Sequence, residues 1–302
     1  MQMTKPIIIL DSCCDLPAEY FKERQKKGDI ARVELSYILH GTEYHDDSTV
    51  ESCERLYAAM RKGEQITTSQ VNNHTFKETF LRLIPEGRPI IYPAFSSALS
   101  GTFQAANTAL REVKQEYPEA DITVVDTFAA SLGEGLLAYY LVEMQEAGKS
   151  KEEILGWLEQ NKLRLNHWFT VDDLNHLKRG GRISATTALL GTMLSIKPVM
   201  WMDRPGRLVP VSKERGRKKS LNALFEKFEE RVENPSEQYI FISHGDCLED
   251  ATYLADLIKK KYAPKMVFLN LVGPVIGSHS GPGTVALFFL GKERKEGEYT
   301  KQ

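Results

Sequence analysis

Four short polar turns gather hydroxyl, amide and imidazole groups: Asp11-Ser12, Thr67-Thr68-Ser69-Gln70, Ser96 to Thr102 (SSALSGT), and Gly277 to Gly283 (GSHSGPG). Each stands at the end of a predicted strand or at the start of a predicted helix. Hydroxyls at a helix N-terminus add side-chain donors to backbone N–H groups that already favour anions. In an open parallel sheet, ligands bind beyond the carboxyl ends of the strands. The first three turns can therefore be read together as a small oxyanion-binding cluster. Taken singly, each is explained as well by helix capping, and a cap suffices for Ser69 or Ser100. Pattern alone names no ligand.

Several sharper motifs fail on mechanism. Gly133-Glu134-Gly135-Leu136-Leu137-Ala138 matches the dinucleotide fingerprint, but its strand ends near Asp126 and Gly133 does not open the helix directly. Gly148-Lys149-Ser150 resembles the end of a P-loop, yet position 143 is Glu where glycine is required. No serine sits at the centre of a GxSxG elbow; in Gly277 to Gly281 that place belongs to His279. His244-Gly245-Asp246 and His45-Asp46-Asp47 offer too few spaced ligands for a metal site. The basic run Arg215-Gly216-Arg217-Lys218-Lys219 reads first as a solvated helix start, with a protein or phosphate contact as the lesser reading.

The elements that hold these turns alternate. Pro6 to Leu10 is a short apolar run, as expected of a strand buried on both faces. Strands are predicted over 31–39, 89–95 and 122–126, with amphipathic helices near 52–62, 73–83 and 101–117. Strands spaced by such helices make βαβ units and a parallel sheet. Two helices follow over 129–160, divided at Gly148. After about residue 163 the pattern changes. A strand at 167–171, a helix near 185–194 and a hairpin about Arg204-Pro205-Gly206 lead into two further helix and strand alternations and a last strand at 285–290. The expectation is an α/β protein: a Rossmann-like domain over 1–162 with a mainly parallel sheet, and a smaller α+β domain over 163–302.

Bulk composition narrows the class. A net charge of −2 gives none of the basic excess that marks nucleic-acid binding. No apolar run approaches the roughly 18 residues of a membrane span, and the N-terminal apolar stretch is too short for a signal peptide. Cys13, Cys14, Cys53 and Cys247 have neither CxxC spacing nor disulfide density. A cytoplasmic protein with reduced thiols is expected.

Taken in order, the turns resemble the DegV family. The matching pieces are Leu10-Asp11-Ser12 with Asp15-Leu16-Pro17, Thr68-Ser69-Gln70, Ser96 to Thr102, Val125-Asp126-Thr127, Leu177 to Ile183 (LKRGGRI), Ile196-Lys197-Pro198-Val199, and Gly273 to His279 with Gly281-Pro282-Gly283. No piece is diagnostic alone, but seven in register span nearly the whole chain. The resemblance implies a bacterial fatty-acid carrier of the EDD fold, with the acyl chain in a tunnel between the two domains. It implies that the carboxyl group meets Thr68, Ser97 or Ser100, and His279. It further implies a separate ATP-binding kinase subunit that converts the bound acid to an acyl phosphate for phospholipid synthesis. Arg179 and Arg215 are the docking candidates for that subunit or for a membrane surface. No cofactor, metal or catalytic residue is expected in this chain. The sequence departs from the family at Cys13 and Cys14, where Ser or Thr is common, and at Val71, where Pro is usual; the two thiols are placed near the pocket floor.

A fatty acid suits this stock of residues. Each buried CH₂ contributes about 0.8 kcal/mol, so a chain of about 16 carbons offers on the order of 10 kcal/mol before ordering costs. Phe95, Phe103, Leu189 and Met193 are candidates to line the tunnel, with Phe128, Leu132, Leu190 and Leu194 as further apolar stock. An unpaired carboxylate in an apolar cavity is strongly disfavoured, which is what the hydroxyls offset. Two other readings compete: a small-molecule phosphotransferase related to dihydroxyacetone kinases, with His279 accepting phosphate, and a serine hydrolase using Ser97 or Ser100 with His279. The missing P-loop and the missing elbow weigh against them.

Overall fold

A computed structural model describes residues 5–184 and 196–299. The helix predicted near 185–194, with Leu189, Leu190, Met193 and Leu194, lies outside the described residues.

The first sheet is parallel and follows from β-branched runs. Strand β1 (Ile7–Asp11) is buried along its whole length, and β2 (Ile30–Val33), β6 (Ile90–Ala94) and β7 (Ile122–Asp126) join it in the order β2-β1-β6-β7. All pairings are parallel, the arrangement in which continuous apolar strands are covered on both faces. Helices α1 (Ala18–Lys26), α3 (Asn73–Leu83), α4 (Thr102–Glu116), α5 (Leu132–Glu146) and α6 (Lys151–Asn161) lie between or after these strands. Asn72 caps α3 by accepting from the Thr75 amide, and Ser150 with Glu153 forms a capping box at α6.

The strand predicted over 31–39 is two strands in two sheets. The chain leaves the parallel sheet after Val33, and β3 (Ser36–Leu39) pairs antiparallel with β4 (Thr42–His45) and with β5 (Thr67–Ser69). At the break, the Leu35 amide donates to Ser12 Oγ at 3.1 Å and its carbonyl accepts from Asp46 at 2.9 Å. A continuous apolar run carries no mark of this change of sheet. Helix α2 (Val50–Arg61) packs on the small sheet through Leu56 and Tyr57.

The remaining strands make a six-stranded mixed sheet. Its members are β8 (Leu165–Thr170), β9 (Ile196–Met202), β10 (Leu208–Arg215), β11 (Tyr239–His244), β12 (Met266–Leu271) and β13 (Val285–Leu290), in the order β10-β9-β8-β13-β11-β12. The Pro-Gly hairpin is present, with Met202 opposite Leu208. Alternation divides the two faces. Trp168, Trp201, Ile242, Leu287 and Phe289 pack in one cluster with α8 (Arg217–Arg231) and α9 (Leu248–Tyr262). His167, Phe169, Met202, Ser243, Ala286 and Phe288 face the other way, toward a cavity. Two short helices complete the fold, α7 (Asn175–Arg179) and α10 (Pro274–Ser280).

Helix α5 is apolar on nearly every side because it lies between the sheets. One core cluster contains its Leu136, Leu137 and Leu141 together with Ile8 and Leu10 of β1 and Phe241 and Phe288 of the mixed sheet. The glycines of its fingerprint-like start serve packing: a Cβ at Gly133 would overlap the His167 ring, and one at Gly135 would overlap the Cys14 carbonyl. A fully buried guanidinium closes the structure. Arg294 donates to the carbonyls of Phe128 and Asp203 at 3.0 Å and of Lys162 at 2.8 Å.

Candidate functional site

The cavity has a volume of about 420 Å³ and is walled by both halves of the chain, within the range of small-molecule sites. Its apolar wall includes Phe95, Ala130 and Val275 together with Phe169, Met202 and Phe288. Phe95 is thus on the wall. Phe103 is not; it packs on the outer side of the cluster built around β6 and α4. Phe128 and Leu132 also lie off the wall.

Four of the polar groups on the wall come from separate elements. Thr68 comes from β5, held in register opposite Tyr37 of β3. Ser100 comes from the loop before α4, where its Oγ accepts from the Thr102 amide at 3.2 Å and lies 2.9 Å from Thr102 Oγ1. His279 comes from α10, and Arg182 from the Gly180-Gly181 turn after α7. Thr68 Oγ1 and His279 Nε2 are 2.8 Å apart. Burial, and then the Arg182 guanidinium, push the imidazole down to about 4, so the ring is neutral at physiological pH. A Cβ at Gly180 would overlap His279 Nδ1, so the ring can take this place only because residue 180 lacks a side chain.

Arg182 donates from Nε to the Leu99 carbonyl at 3.1 Å and from Nη1 to the Gly180 carbonyl. Its Nη2 has no partner among the described residues. Burial lowers its pKa, which marks a guanidinium partly stripped of water. This residue has no assigned role in the sequence reading, where it is only one letter of the LKRGGRI string. A cationic side chain in a double-glycine turn that closes a short helix is the signal available for it.

Ser97 is not on the cavity wall. Its amide donates to Asp126 Oδ1 at 3.3 Å, which draws this part of the loop back to the end of β7. Cys13 and Cys14 also lie off the wall. They are fully buried in two core clusters, where burial raises both thiols. Val71 is buried beside Phe76 and Phe95 in the cluster that holds Cys13.

A second polar spot lies on the same wall. Ser131, the N-cap residue of α5, sits at φ 55° and ψ −149°, a conformation that costs a non-glycine residue about 1–3 kcal/mol. Its hydroxyl donates to Asp15 Oδ2 and lies 2.9 Å from Ser243 Oγ of β11. Asp15 is buried, and burial raises its pKa well above the usual carboxylate range. Its other oxygen accepts from the Gly273 amide at 3.0 Å, just before α10.

Of the docking candidates, Arg179 is exposed with Nη2 2.8 Å from His176 Nδ1, and Arg215 is exposed at the end of β10. Arg217 of the basic run is at the start of α8, as expected, and pairs with Asp250 at 2.8 Å. Among the described residues, no group of three or more His, Cys, Asp or Glu is placed to hold a metal ion, and no helix is long and apolar enough to cross a membrane.

The model of the DegV family, described as uncharacterised protein, DegV family, matches residues 5–292. The chain belongs to the DegV family. A DegV domain-containing protein of Clostridium perfringens is 47% identical over 97% of this chain and 100% of its own length. Among solved structures, a DegV family protein of Thermus thermophilus that binds fatty acid superposes with a TM-score of 0.84 at 30% identity, covering 96% of this chain and 100% of its own. A DegV lipid-binding protein of Thermotoga maritima gives 0.82 at 30% identity, covering 97% and 100%. The α/β fold with its parallel sheet is the DegV fold, and family members of this architecture bind fatty acids.

Proposed function

We propose that this DegV protein binds one long-chain fatty acid in the cavity and presents its carboxyl group to a separate ATP-binding kinase subunit for acyl-phosphate formation. The observation that carries the reading is an apolar cavity that meets Thr68, Ser100, His279 and Arg182. An acyl chain fills the apolar part, at about 0.8 kcal/mol per buried CH₂. The carboxylate takes hydrogen bonds from the hydroxyls and a charge-assisted bond from the Arg182 guanidinium. Ser97, off the wall, is left out of this set. Residues 1–162 and 163–302 act as the two halves that enclose the ligand.

The chain itself is read as non-catalytic. The hydroxyls serve the head group as donors, and phosphate comes from the partner's ATP. Arg179 and Arg215, both exposed, are the proposed contacts for that partner.

Mass spectrometry of an organic extract of the purified protein tests the binding. A stoichiometric long-chain acid is expected. An empty extract, together with no uptake of added palmitate or oleate, overturns the reading. The presentation step is tested separately by adding ATP with and without a fatty acid kinase subunit. Acyl phosphate should form only with the subunit present.

A further inference from the structure

We propose that the cavity accepts fatty acids hydroxylated along the chain, with the chain hydroxyl seated against the Ser131–Ser243 pair. This rests on the fatty-acid reading and extends it to a substrate class. A tunnel for plain acyl chains needs polar groups at its head-group end alone. Here the wall carries a second hydroxyl pair on other elements, the start of α5 and the C-terminal end of β11. No hydrogen bond joins it to Thr68, Ser100, His279 or Arg182 among the described residues.

The pair is built to stay polar. Ser131 holds a backbone conformation that favours glycine, yet it retains a hydroxyl. That hydroxyl is fixed by Asp15, itself fixed by the Gly273 amide. Ser243 stands between Ala286 of β13 and Asn270 of β12, with Phe241 along its own strand; the Asn270 amide group is engaged with the Asp15 carbonyl at 2.7 Å. With Ser131 donating to Asp15, Ser243 donates to Ser131, and the Ser243 oxygen keeps lone pairs that no described residue fills. A ligand hydroxyl can donate there. A CH₂ in the same place would leave that acceptor unmatched.

The test is a binding series on the intact protein with stearate and with monohydroxystearates carrying the hydroxyl at successive positions. A hydroxyl buried without a partner weakens binding by roughly tenfold or more. We expect one position at which the hydroxylated acid binds as tightly as stearate or better. In Ser243→Ala the ratio of its affinity to that of stearate should fall about tenfold. If every isomer binds tenfold or more below stearate, or if Ser243→Ala leaves that ratio unchanged, the inference is overturned. Failure of stearate itself to bind is a different result and sinks the fatty-acid reading instead.

Discussion

Thr68 and His279 are separated by 211 positions in the sequence, yet Oγ1 of one lies 2.8 Å from Nε2 of the other inside the cavity. The neutral imidazole carries one ring hydrogen. If it sits on Nε2, the ring donates to Thr68, and the Thr68 hydroxyl is free to donate to a carboxylate. Thr68→Val keeps the shape and removes that hydroxyl. Fatty-acid affinity should fall by about 1–3 kcal/mol, roughly 5- to 150-fold, with Thr68→Ser losing less. Isothermal titration of delipidated protein measures it, and unchanged affinity in Thr68→Val would move the head group elsewhere.

Arg182 makes a coupled prediction. Its positive charge disfavours imidazolium in His279, so Arg182→Gln should raise the His279 pKa above about 4. The same variant should weaken fatty-acid binding by at least tenfold, since a charge-assisted bond contributes about twice a neutral one. Proton NMR of the His279 ring, followed against pH, reads the first effect, and an affinity titration reads the second. A lower pKa in the variant would contradict the charge argument.

Gly180→Ala isolates ring placement from donor chemistry. The new methyl would overlap Nδ1 of His279 and push the ring out of line with Thr68. Binding should weaken by about 1–3 kcal/mol. Residue 180 lies in an αR backbone, so alanine itself costs the turn little. The check is a large change in ligand affinity with a melting temperature of the ligand-free protein within a few degrees of the parent.

Asp46 predicts the pH dependence of stability. Burial pushes it up to about 7, against about 3.9 in an unfolded chain. Between those values the folded state keeps the proton while the unfolded state has lost it. Its contribution to stability is therefore present at low pH and is lost as pH rises from about 4 to 7. His279 runs the other way. Its lowered value means that stability falls as pH drops from about 6.5 to 4. Comparing the parent with Asp46→Asn by denaturant titration cancels the histidine term. The parent's stability relative to the variant should decline by a few kcal/mol from pH 4 to pH 7, and a flat difference would rule the mechanism out.

Much of this architecture is legible in local pattern. The buried strands, the helices at 73–83 and 102–116, the break at Gly148 and the Pro-Gly hairpin all announce themselves through apolar spacing and turn residues. What local pattern misses is tertiary assignment. Thr67–Ser69 reads as a polar turn because a three-residue edge strand has no periodicity to show, and 31–39 reads as one strand because apolar spacing does not report which sheet it serves. Thr68, Ser100 and His279 reach one cavity, and Ser97 is turned away by Asp126, a partner that lies 29 positions later in the chain. Arg182 is visible only in three dimensions. Its motif is glycine-rich, and nothing in the letters says that the arginine folds back against Leu99.

One carboxyl group, that of Asp15, has a further consequence. With one oxygen it holds the Ser131 hydroxyl on the cavity wall, and with the other it holds the amide that opens the helix bearing His279. The Ser131–Ser243 pair and the helix that carries His279 are therefore tied to the same fixed point. A carboxyl group that is not itself on the cavity wall thereby fixes the distance between two polar parts of that wall.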